Sequence, residues 1–294
     1  MKNILLLSLF TSVVLSAGCS NQQQAEHSEV KAYAKFVPER EDDFAWENDL
    51  VAFRMYGPSS KSTGPASGVD CWLKRVNYSI LDKWYDNFQN KISYHVDRGE
   101  GYDPYHTGTT RGCGGTAIWL EGKPQAAGTF KAWRIIENSK QQVSFELDYA
   151  WQTDLGQIKE TKRVSLALGS QLFAVESMFL LNNLPAKHLS IAIGLSTHDG
   201  AASVSSEQQS AWIATWEKIG DFHLGTGAMV APNLVDEIIH QASEEKDQSH
   251  IWLVSHTDEY GKFRYQAGYA WERANQITSK QAWHEYLQQY NTVK

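Results

Sequence analysis

Apolar and polar residues alternate along most of the chain, which is the pattern of β-strands with one buried and one solvated face. The clearest example lies between positions 142 and 151, where every odd position is apolar and nearly every even one is polar. Further strands are predicted at 50–56, 116–120, 130–136, 157–168, 172–181, 189–195, 212–216, 251–255 and 263–269. Many short strands joined by polar turns predict an all-β fold, an antiparallel β-sandwich.

Helical spacing of apolar residues is confined to three segments. The segment 282–290 follows Thr278 and Ser279, either of which is a suitable N-cap. The segment 80–89 is a second candidate, and 234–242 is a weaker third. We therefore expect a few short helices beside the sandwich.

The N-terminus has the features of a targeting signal. Lys2 precedes an apolar run at 4–15 that is too short to span a bilayer. The sequence before Cys19 resembles a bacterial lipobox, which implies a lipidated Cys19; an ordinary secreted protein is the alternative. We expect a signal peptide at 1–19, a flexible tether at 20–34 and a single catalytic β-sandwich domain at 35–294.

This resemblance also implies a location. Ser20 is not the Asp that tends to retain lipoproteins at the inner membrane. We therefore expect the protein to be located at the periplasmic face of the outer membrane. It would be lipid-anchored and would contact the membrane only through that lipid.

Composition narrows the range of partners. The formal net charge of −7 argues against nonspecific binding to nucleic acid. Eleven Trp and thirteen Tyr are compatible with two interpretations: aromatic packing in a β-rich core, or flat rings that stack on sugars. Composition leaves both open.

The segment 94–115 combines reactive side chains with six glycines. Glycine permits sharp turns and close approach of another molecule, and charged or aromatic residues on such loops are frequently functional. We predict that His95 and Tyr102 are catalytic here, and that Tyr105 and His106 contact the substrate. For any single tyrosine, packing is the alternative role.

The spacing of His95 and Asp97 raises the question of a metal. Side chains two positions apart on a strand lie on the same face, so His95 and Asp97 could both reach one metal ion and are weak candidates for metal ligands. A hydrogen-bonded polar pair is the more frequent outcome of such spacing. We expect no metal and no cofactor, while a divalent metal stays an open alternative.

Several cations lie near this segment in an otherwise acidic protein. Lys74 and Arg111 are predicted to be catalytic, and Arg98 to bind substrate, because guanidinium groups hold carboxylate or sulfate in bidentate fashion. The alternative is surface pairing with Glu100 and Asp103, which contributes little to stability.

Other candidates lie outside the segment. His198 follows an apolar strand pattern and is predicted to be catalytic, since a strand end reaches a cleft. Glu47, Asn48 and Arg54 surround the strand at 50–56 and are predicted to line a substrate groove; a turn with an Asx cap is the alternative.

Two cysteines remain once Cys19 is set aside. Cys71 and Cys113 flank the glycine-rich segment. In an oxidising compartment they either form a disulfide that fixes the loop or remain buried thiols.

Long stretches of the chain then resemble a known family. They are 38–40, 42–49, 51–58, 94–97 continuing through 115, 265–271 and Trp283. The chain is similar to the bacterial family catalogued as domain of unknown function 4861, and His95 fits the loop of that family better than His106 does. The resemblance implies a galactose mutarotase-like supersandwich and a place beside polysaccharide-degrading enzymes. One member acts in ulvan breakdown as an oligosaccharide dehydratase that leaves a 4,5-unsaturated uronate.

That chemistry has three requirements. The uronate carboxylate must be neutralised, a base must remove the C5 proton, and an acid must protonate the leaving 4-hydroxyl. Arg111 or Lys74 suits the first role, His95 or a tyrosine the second, and a tyrosine or His198 the third. We expect a dehydratase or β-eliminating lyase acting on acidic oligosaccharides. The alternatives are a sugar epimerase or mutarotase, and a noncatalytic carbohydrate-binding lipoprotein.

Overall fold

The computed structural model describes residues 29–61 and 64–292. The expected signal peptide, Cys19 and most of the expected tether lie outside the described residues. The first strand begins at Tyr33, two residues before the expected start of the domain. Within the described chain, antiparallel strands form three sheets, which confirms the predicted all-β sandwich.

The first sheet has five strands in chain order. They are β1 (Tyr33–Val37), β2 (Asp43–Glu47), β3 (Ala52–Met55), β4 (Asp70–Lys74) and β5 (Gly101–Tyr102). Helix α1 (Leu81–Gln89) covers the outer face of this sheet, where Trp84 and Tyr85 pack against Trp72. This helix confirms the prediction at 80–89.

The largest sheet has nine strands and forms one whole layer of the sandwich. In spatial order they are β14 (Ser203–Glu207), β15 (Trp212–Ile219), β16 (Phe222–Met229), β19 (Lys262–Trp271), β11 (Leu172–Leu181), β10 (Gly156–Ala167), β9 (Gln142–Thr153) and β8 (Ala132–Asn138), with β12 (Leu184–Pro185) paired to β11. Helix α2 (Lys280–Thr292) lies on its outer face. The Ser279 hydroxyl accepts the Ala282 N–H, so the predicted helix and cap are confirmed.

The third sheet completes the second layer. Its order is β17 (Glu237–Gln241), β18 (His250–His256), β13 (Ser190–Ser196), β6 (Cys113–Leu120) and β7 (Lys123–Gln125). Strands β6, β13 and β18 pack against β15, β16 and β19, while the first sheet packs against β9 and β19. Apolar side chains of all three sheets therefore meet in one continuous core.

A disulfide between Cys71 and Cys113 joins the two five-stranded sheets, with the Cα atoms 6.7 Å apart and a sequence separation of 42. Next to the disulfide, a single parallel β-bridge pairs the backbones of Val69 and Gly112. Of the two open alternatives for these cysteines, the structure shows the disulfide.

The predicted helix at 234–242 is wrong. A short 3₁₀ turn (Pro232–Leu234) leads instead into the edge strand β17. Ile238 and Ile239 pair with Leu253 and Trp252 of β18. Strand pairing at an open sheet edge has overridden a weak local pattern. No helix of the described residues is long and apolar enough to cross a membrane.

Candidate functional site

The second half of the glycine-rich segment connects β5 to β6 and carries two adjacent residues of interest, Tyr105 and His106. His106 Nε2 lies 2.8 Å from Asp247 Oδ1. With that nitrogen donating to the carboxylate, Nδ1 of the neutral ring is an acceptor. About half of the His106 side chain is exposed to solvent, so this nitrogen is available to a ligand.

Asp247 is itself held in place. Its Oδ2 accepts hydrogen bonds from the Thr109 N–H and hydroxyl, each at 3.1 Å. Burial alone would raise the pKa of Asp247, but hydrogen bonds from Thr109 and His106 outweigh it and hold the pKa below its usual value. The carboxylate is therefore a fixed negative charge that orients the His106 ring.

A second histidine–carboxylate pair lies next to the first. His198 Nδ1 is 2.7 Å and 2.8 Å from the two Glu217 oxygens, and its Nε2 is 3.0 Å from the carbonyl oxygen of His106. Both ring nitrogens face acceptors, so the geometry favours the imidazolium. Burial opposes that charge, but Glu217 and the His106 carbonyl overcome it and raise the pKa of His198.

Tyr105 packs against the second pair. Its ring contacts the edge of His198, with centroids 4.6 Å apart. Its hydroxyl is buried and has no hydrogen-bond partner among residues 29–61 and 64–292. Burial raises the pKa of Tyr105 well above its ordinary value, so the phenol is neutral and retains its proton. A buried polar group without a partner is uncommon and is a natural contact for a ligand hydroxyl.

Gly108 allows the loop to take this path. Its φ is +49°, in the left-handed region. A Cβ at this position would lie 2.5 Å from Asp247 Oδ2 and 2.7 Å from His106 Nε2. A larger residue would therefore push the first pair apart. We call Tyr105, His106, His198, Glu217 and Asp247 the paired-histidine site.

Arg111 lies beneath this site as a buried cation. Its guanidinium donates to the Ser67 hydroxyl at 2.9 Å and to the Thr109 carbonyl at 3.1 Å. No carboxylate of the described residues lies within ion-pair distance of it. Burial lowers the pKa of Arg111 to about 10, and within residues 29–61 and 64–292 no carboxylate pairs with this positive charge.

The backbone of Arg111 depends on another histidine. Its N–H donates to His250 Nε2 at 3.1 Å, and His250 Nδ1 faces the Gln248 carbonyl oxygen at 3.3 Å. Burial lowers the pKa of His250 to about 4. His250 is thus a neutral, structural imidazole that supports the loop.

Three predicted site residues lie in the interior instead. Lys74 Nζ donates to Glu47, to the Asn48 carbonyl and to the Tyr78 carbonyl, which uses all three of its protons. Glu47 accepts the N–H groups of Ile80 and Leu81 at the start of α1. The Asn48 side chain bonds backbone groups of two loops. The structure brings none of the three to the paired-histidine site.

Arg54 is also buried, within a cluster of carboxylates. It lies 2.5 Å from Asp70, 3.4 Å from Asp103 and 3.7 Å from Asp43. Burial and the neighbouring Asp70 raise the pKa of Asp103 well above its ordinary value, and Arg54 opposes that shift. Thr107 links this cluster to the loop by a hydrogen bond to Asp70. Arg54 therefore contacts the glycine-rich segment directly at Asp103 and indirectly through Asp70 and its hydrogen bond from Thr107.

The first half of the glycine-rich segment forms a separate surface. His95 is 60% exposed, and its Nδ1 contacts the Asp103 carbonyl oxygen at 2.7 Å. Asp97 accepts the N–H groups of Gly99 and Gly101, while Arg98 donates to the Ser93 carbonyl.

Two further observations complete this surface. Asp97 forms an ion pair with Arg273 at 2.6 Å, and Tyr102 packs against Trp271. The described residues contain no group of three metal-ligating side chains. His95 Nδ1 thus lies 2.7 Å from the Asp103 carbonyl oxygen and 3.6 Å from the Asp103 carboxylate, whereas His106 Nε2 lies 2.8 Å from the Asp247 carboxylate.

Comparison with known proteins gives the family. The model of the family described as domain of unknown function (DUF4861) matches residues 16–293. The chain belongs to this family. Uncharacterized protein P7 of Formosa agariphila is 34% identical over 275 residues, which cover 90% of this chain and 68% of that relative.

Solved structures resemble the chain only distantly. The α-galactosidase AgaA of Geobacillus stearothermophilus has a TM-score of 0.38 at 9% identity, covering 83% of this chain and 42% of that one. The galactosidase domain of AgaSK gives 0.39 at 10%, covering 81% and 41%. The 4-α-glucanotransferase of Thermococcus litoralis gives 0.34 at 8%, covering 83% and 42%. The chain spans about two fifths of these proteins, and likeness at this level carries no functional inference.

Two members of the paired-histidine site were missed by sequence reasoning. Glu217 lies four positions after Ile213 of β15, so both side chains are on the core-facing side of the strand. An acidic residue at such an inward position is a signal of a functional role that the sequence contains. Asp247 lies in a polar loop without periodicity, and nothing local distinguishes it from its neighbours.

Proposed function

We propose that this chain is an enzyme of polysaccharide degradation that removes water from the non-reducing-end uronate of acidic oligosaccharides. One observation carries the proposal: two histidine–carboxylate pairs lie side by side, and a buried phenol packs against the second of them. Such a set supplies a base, an acid and positive charge together. The substrate class comes from the resemblance to the ulvan-active member of the family.

The proposed step is a β-elimination. His106 Nδ1 removes the proton from C5, and the electrons of the C5–H bond form the C4=C5 double bond. The C4–O4 bond breaks as the Tyr105 hydroxyl gives its proton to O4, which leaves as water. The products are a 4,5-unsaturated uronate and water; proton transfer from His106 to Tyr105 restores the enzyme.

The remaining residues stabilise charge. Asp247 stabilises the imidazolium that forms on His106, as the carboxylate of a histidine–carboxylate pair does in other enzymes. The His198 imidazolium and buried Arg111 favour negative charge on the substrate carboxylate and on the Tyr105 oxygen. Neither role requires a cofactor.

The test is turnover of glucuronate-terminated oligosaccharides, followed by the ultraviolet absorbance of the unsaturated product and by the loss of one water in mass spectrometry. Tyr105→Phe should retain the melting temperature, since the hydroxyl has no partner among the described residues, but should lose about 10²–10⁴-fold in kcat. If Tyr105→Phe keeps full activity, the proposed acid is wrong.

His106 and His95 offer a matched pair. Both are surface histidines on the same segment, but the Asp247 carboxylate lies 2.8 Å from His106, whereas the Asp103 carboxylate lies 3.6 Å from His95. We expect His106→Ala to lose about 10²-fold or more in kcat, and His95→Ala to lose much less. The reverse order would move the base to His95.

The same assay separates the alternative functions. An epimerase or mutarotase would change anomer ratios of the sugar without a change in mass. A noncatalytic carbohydrate-binding protein would leave the sugar intact and only raise its own melting temperature. Either result with the wild-type chain would contradict the dehydratase proposal.

We also propose that the protein acts in the periplasm, lipid-anchored at Cys19 and facing inward from the outer membrane. The disulfide between Cys71 and Cys113 supports an oxidising compartment. Metabolic labelling with a fatty acid tests the anchor. Label should be incorporated into the wild-type chain and absent from Cys19→Ser; equal labelling of both would contradict it.

A further inference from the structure

The outer face of the nine-stranded sheet, turned away from the other layer, carries a groove of about 500 Å³. Its floor is one cross-strand row of small and polar residues that ends in a methionine. Ser144, Ser165, Ala174, Gln266 and Met229 are successive partners across β9, β10, β11, β19 and β16. Such a floor leaves room for a flat ring to lie directly on the sheet.

A row of alternating charges borders this floor. Glu146, Arg163, Glu176 and Arg264 are successive partners across the same strands. Arg163 contacts Glu146 at 2.5 Å and 2.8 Å, and Arg264 contacts Glu176 at 2.5 Å. Arg134 approaches Glu146 from the far side.

The arginines remain accessible. Arg163 is 52% exposed and Arg264 is 65% exposed, while both line the groove. A guanidinium has five N–H donors, and these contacts use only part of them. The carboxylate partners hold each guanidinium in a fixed orientation, so binding an anion costs less side-chain entropy than it would for a free arginine.

This arrangement selects a class of ligand. A uronate or sulfate group matches the arginines, and vicinal sugar hydroxyls match the alternating donors and acceptors of Arg and Glu. At the apolar edge of the groove Ala231 is exposed, whereas Met229 and Val230 beside it are buried. A nucleic acid fits poorly, because the Glu176 carboxylate lines the groove and the chain carries a net charge of −7.

The groove and the paired-histidine site lie on opposite faces of this sheet. Tyr265 is among the residues that line the groove, but its side chain lies on the core side of the sheet, where its hydroxyl donates to the Gly114 carbonyl at 2.9 Å. Glu217 likewise projects from the core-facing side of β15. One sugar residue therefore cannot contact both places.

We propose that this groove is a second saccharide site, which binds acidic oligosaccharides without reacting with them. The choice of an acidic sugar rests on the proposed function, but binding in the groove does not require the proposed reaction. Such a site would hold a polysaccharide near the enzyme between turnovers and raise its local concentration.

Isothermal titration tests the groove with a glucuronate-terminated tetrasaccharide as the probe. The Tyr105→Phe variant serves as the background, so that the probe is not consumed. We expect two saccharides bound per chain. Adding Arg163→Gln and Arg264→Gln should remove one site or weaken it at least tenfold.

Two controls define the result. Lys159→Gln with Lys262→Gln removes the same charge from the same face outside the groove lining, and should leave binding unchanged. A carboxyl-reduced tetrasaccharide should lose most of its affinity for the groove. If the arginine variant binds as tightly as the lysine variant, the inference is wrong.

Failure of the proposed function would look different. A wild-type chain that gives no unsaturated product, yet loses a saccharide in the arginine variant, refutes the reaction and supports the groove. A stoichiometry of one that survives the arginine substitutions refutes the groove and leaves the reaction standing.

Discussion

Replacing His250 by glutamine should change how stability depends on pH. In the native protein the Nε2 atom of His250 accepts the Arg111 N–H, and burial lowers the pKa of the ring to about 4. In the unfolded chain the pKa is near 6.5. Between these values the unfolded state binds a proton that the native state does not, so the native state loses stability as pH falls.

The magnitude follows from that difference. A fall from 6.5 to about 4, at about 1.4 kcal/mol for each pKa unit, corresponds to about 3 kcal/mol. His250 is only 5% exposed, so solvent screens little of this. The glutamine oxygen can accept the Arg111 N–H and does not titrate; at pH 7 we therefore expect the two proteins to differ by about 1 kcal/mol or less.

Urea unfolding at pH 7, 6, 5 and 4 measures the effect. The quantity of interest is the difference in free energy of unfolding between wild type and His250→Gln. This difference cancels other groups, such as Asp43, whose pKa burial raises to about 6 and whose contribution has the opposite sign. Wild type should lose up to about 3 kcal/mol relative to the variant by pH 4. A difference that does not change with pH would refute the reasoning.

Three further predictions concern the loop and its supports. Replacing both disulfide cysteines by serine, which opens a loop with a sequence separation of 42, should cost about 4 kcal/mol in urea unfolding, and an unchanged midpoint would contradict this. Gly108→Ala should reduce kcat while the protein stays folded, because the added Cβ meets His106. A variant that no longer shows a cooperative melting transition would indicate a folding defect instead. Glu217→Gln should lower the pKa of His198, as measured by NMR titration. In the wild type the pair stabilises the fold below pH 6.5, and this stability is lost as pH rises through the raised pKa; the variant should lack it. A His198 titration that does not change in the variant would exclude the pairing.

The sequence predicted the sheets better than it predicted the site. Strands such as β9 face the core on one side and solvent on the other, so the alternation is visible locally. Strand β4 is buried on both faces because α1 covers its outer side. Lys74 at its end therefore looked like an available cation near the loop, although it lies inside.

The carboxylates of the site depend on sheet order instead. His198 follows β13, and its predicted place at a strand end is the one that the structure shows. Its partner Glu217 lies on a strand of the opposite layer, and Asp247 lies 141 positions from His106. No local pattern encodes which strands become neighbours, so pairs of this kind emerge only with the complete topology.

The long separations within the paired-histidine site also have a kinetic consequence. Contacts between residues 92 and 141 positions apart form late, because closing large loops is slow until most of the chain is ordered. Recovery of the proposed activity should therefore be one of the last events in refolding, after the tryptophan fluorescence of the core has reached its native value. The site then reports on completed assembly of both layers, which makes turnover a stringent measure of correct folding in any variant of this chain.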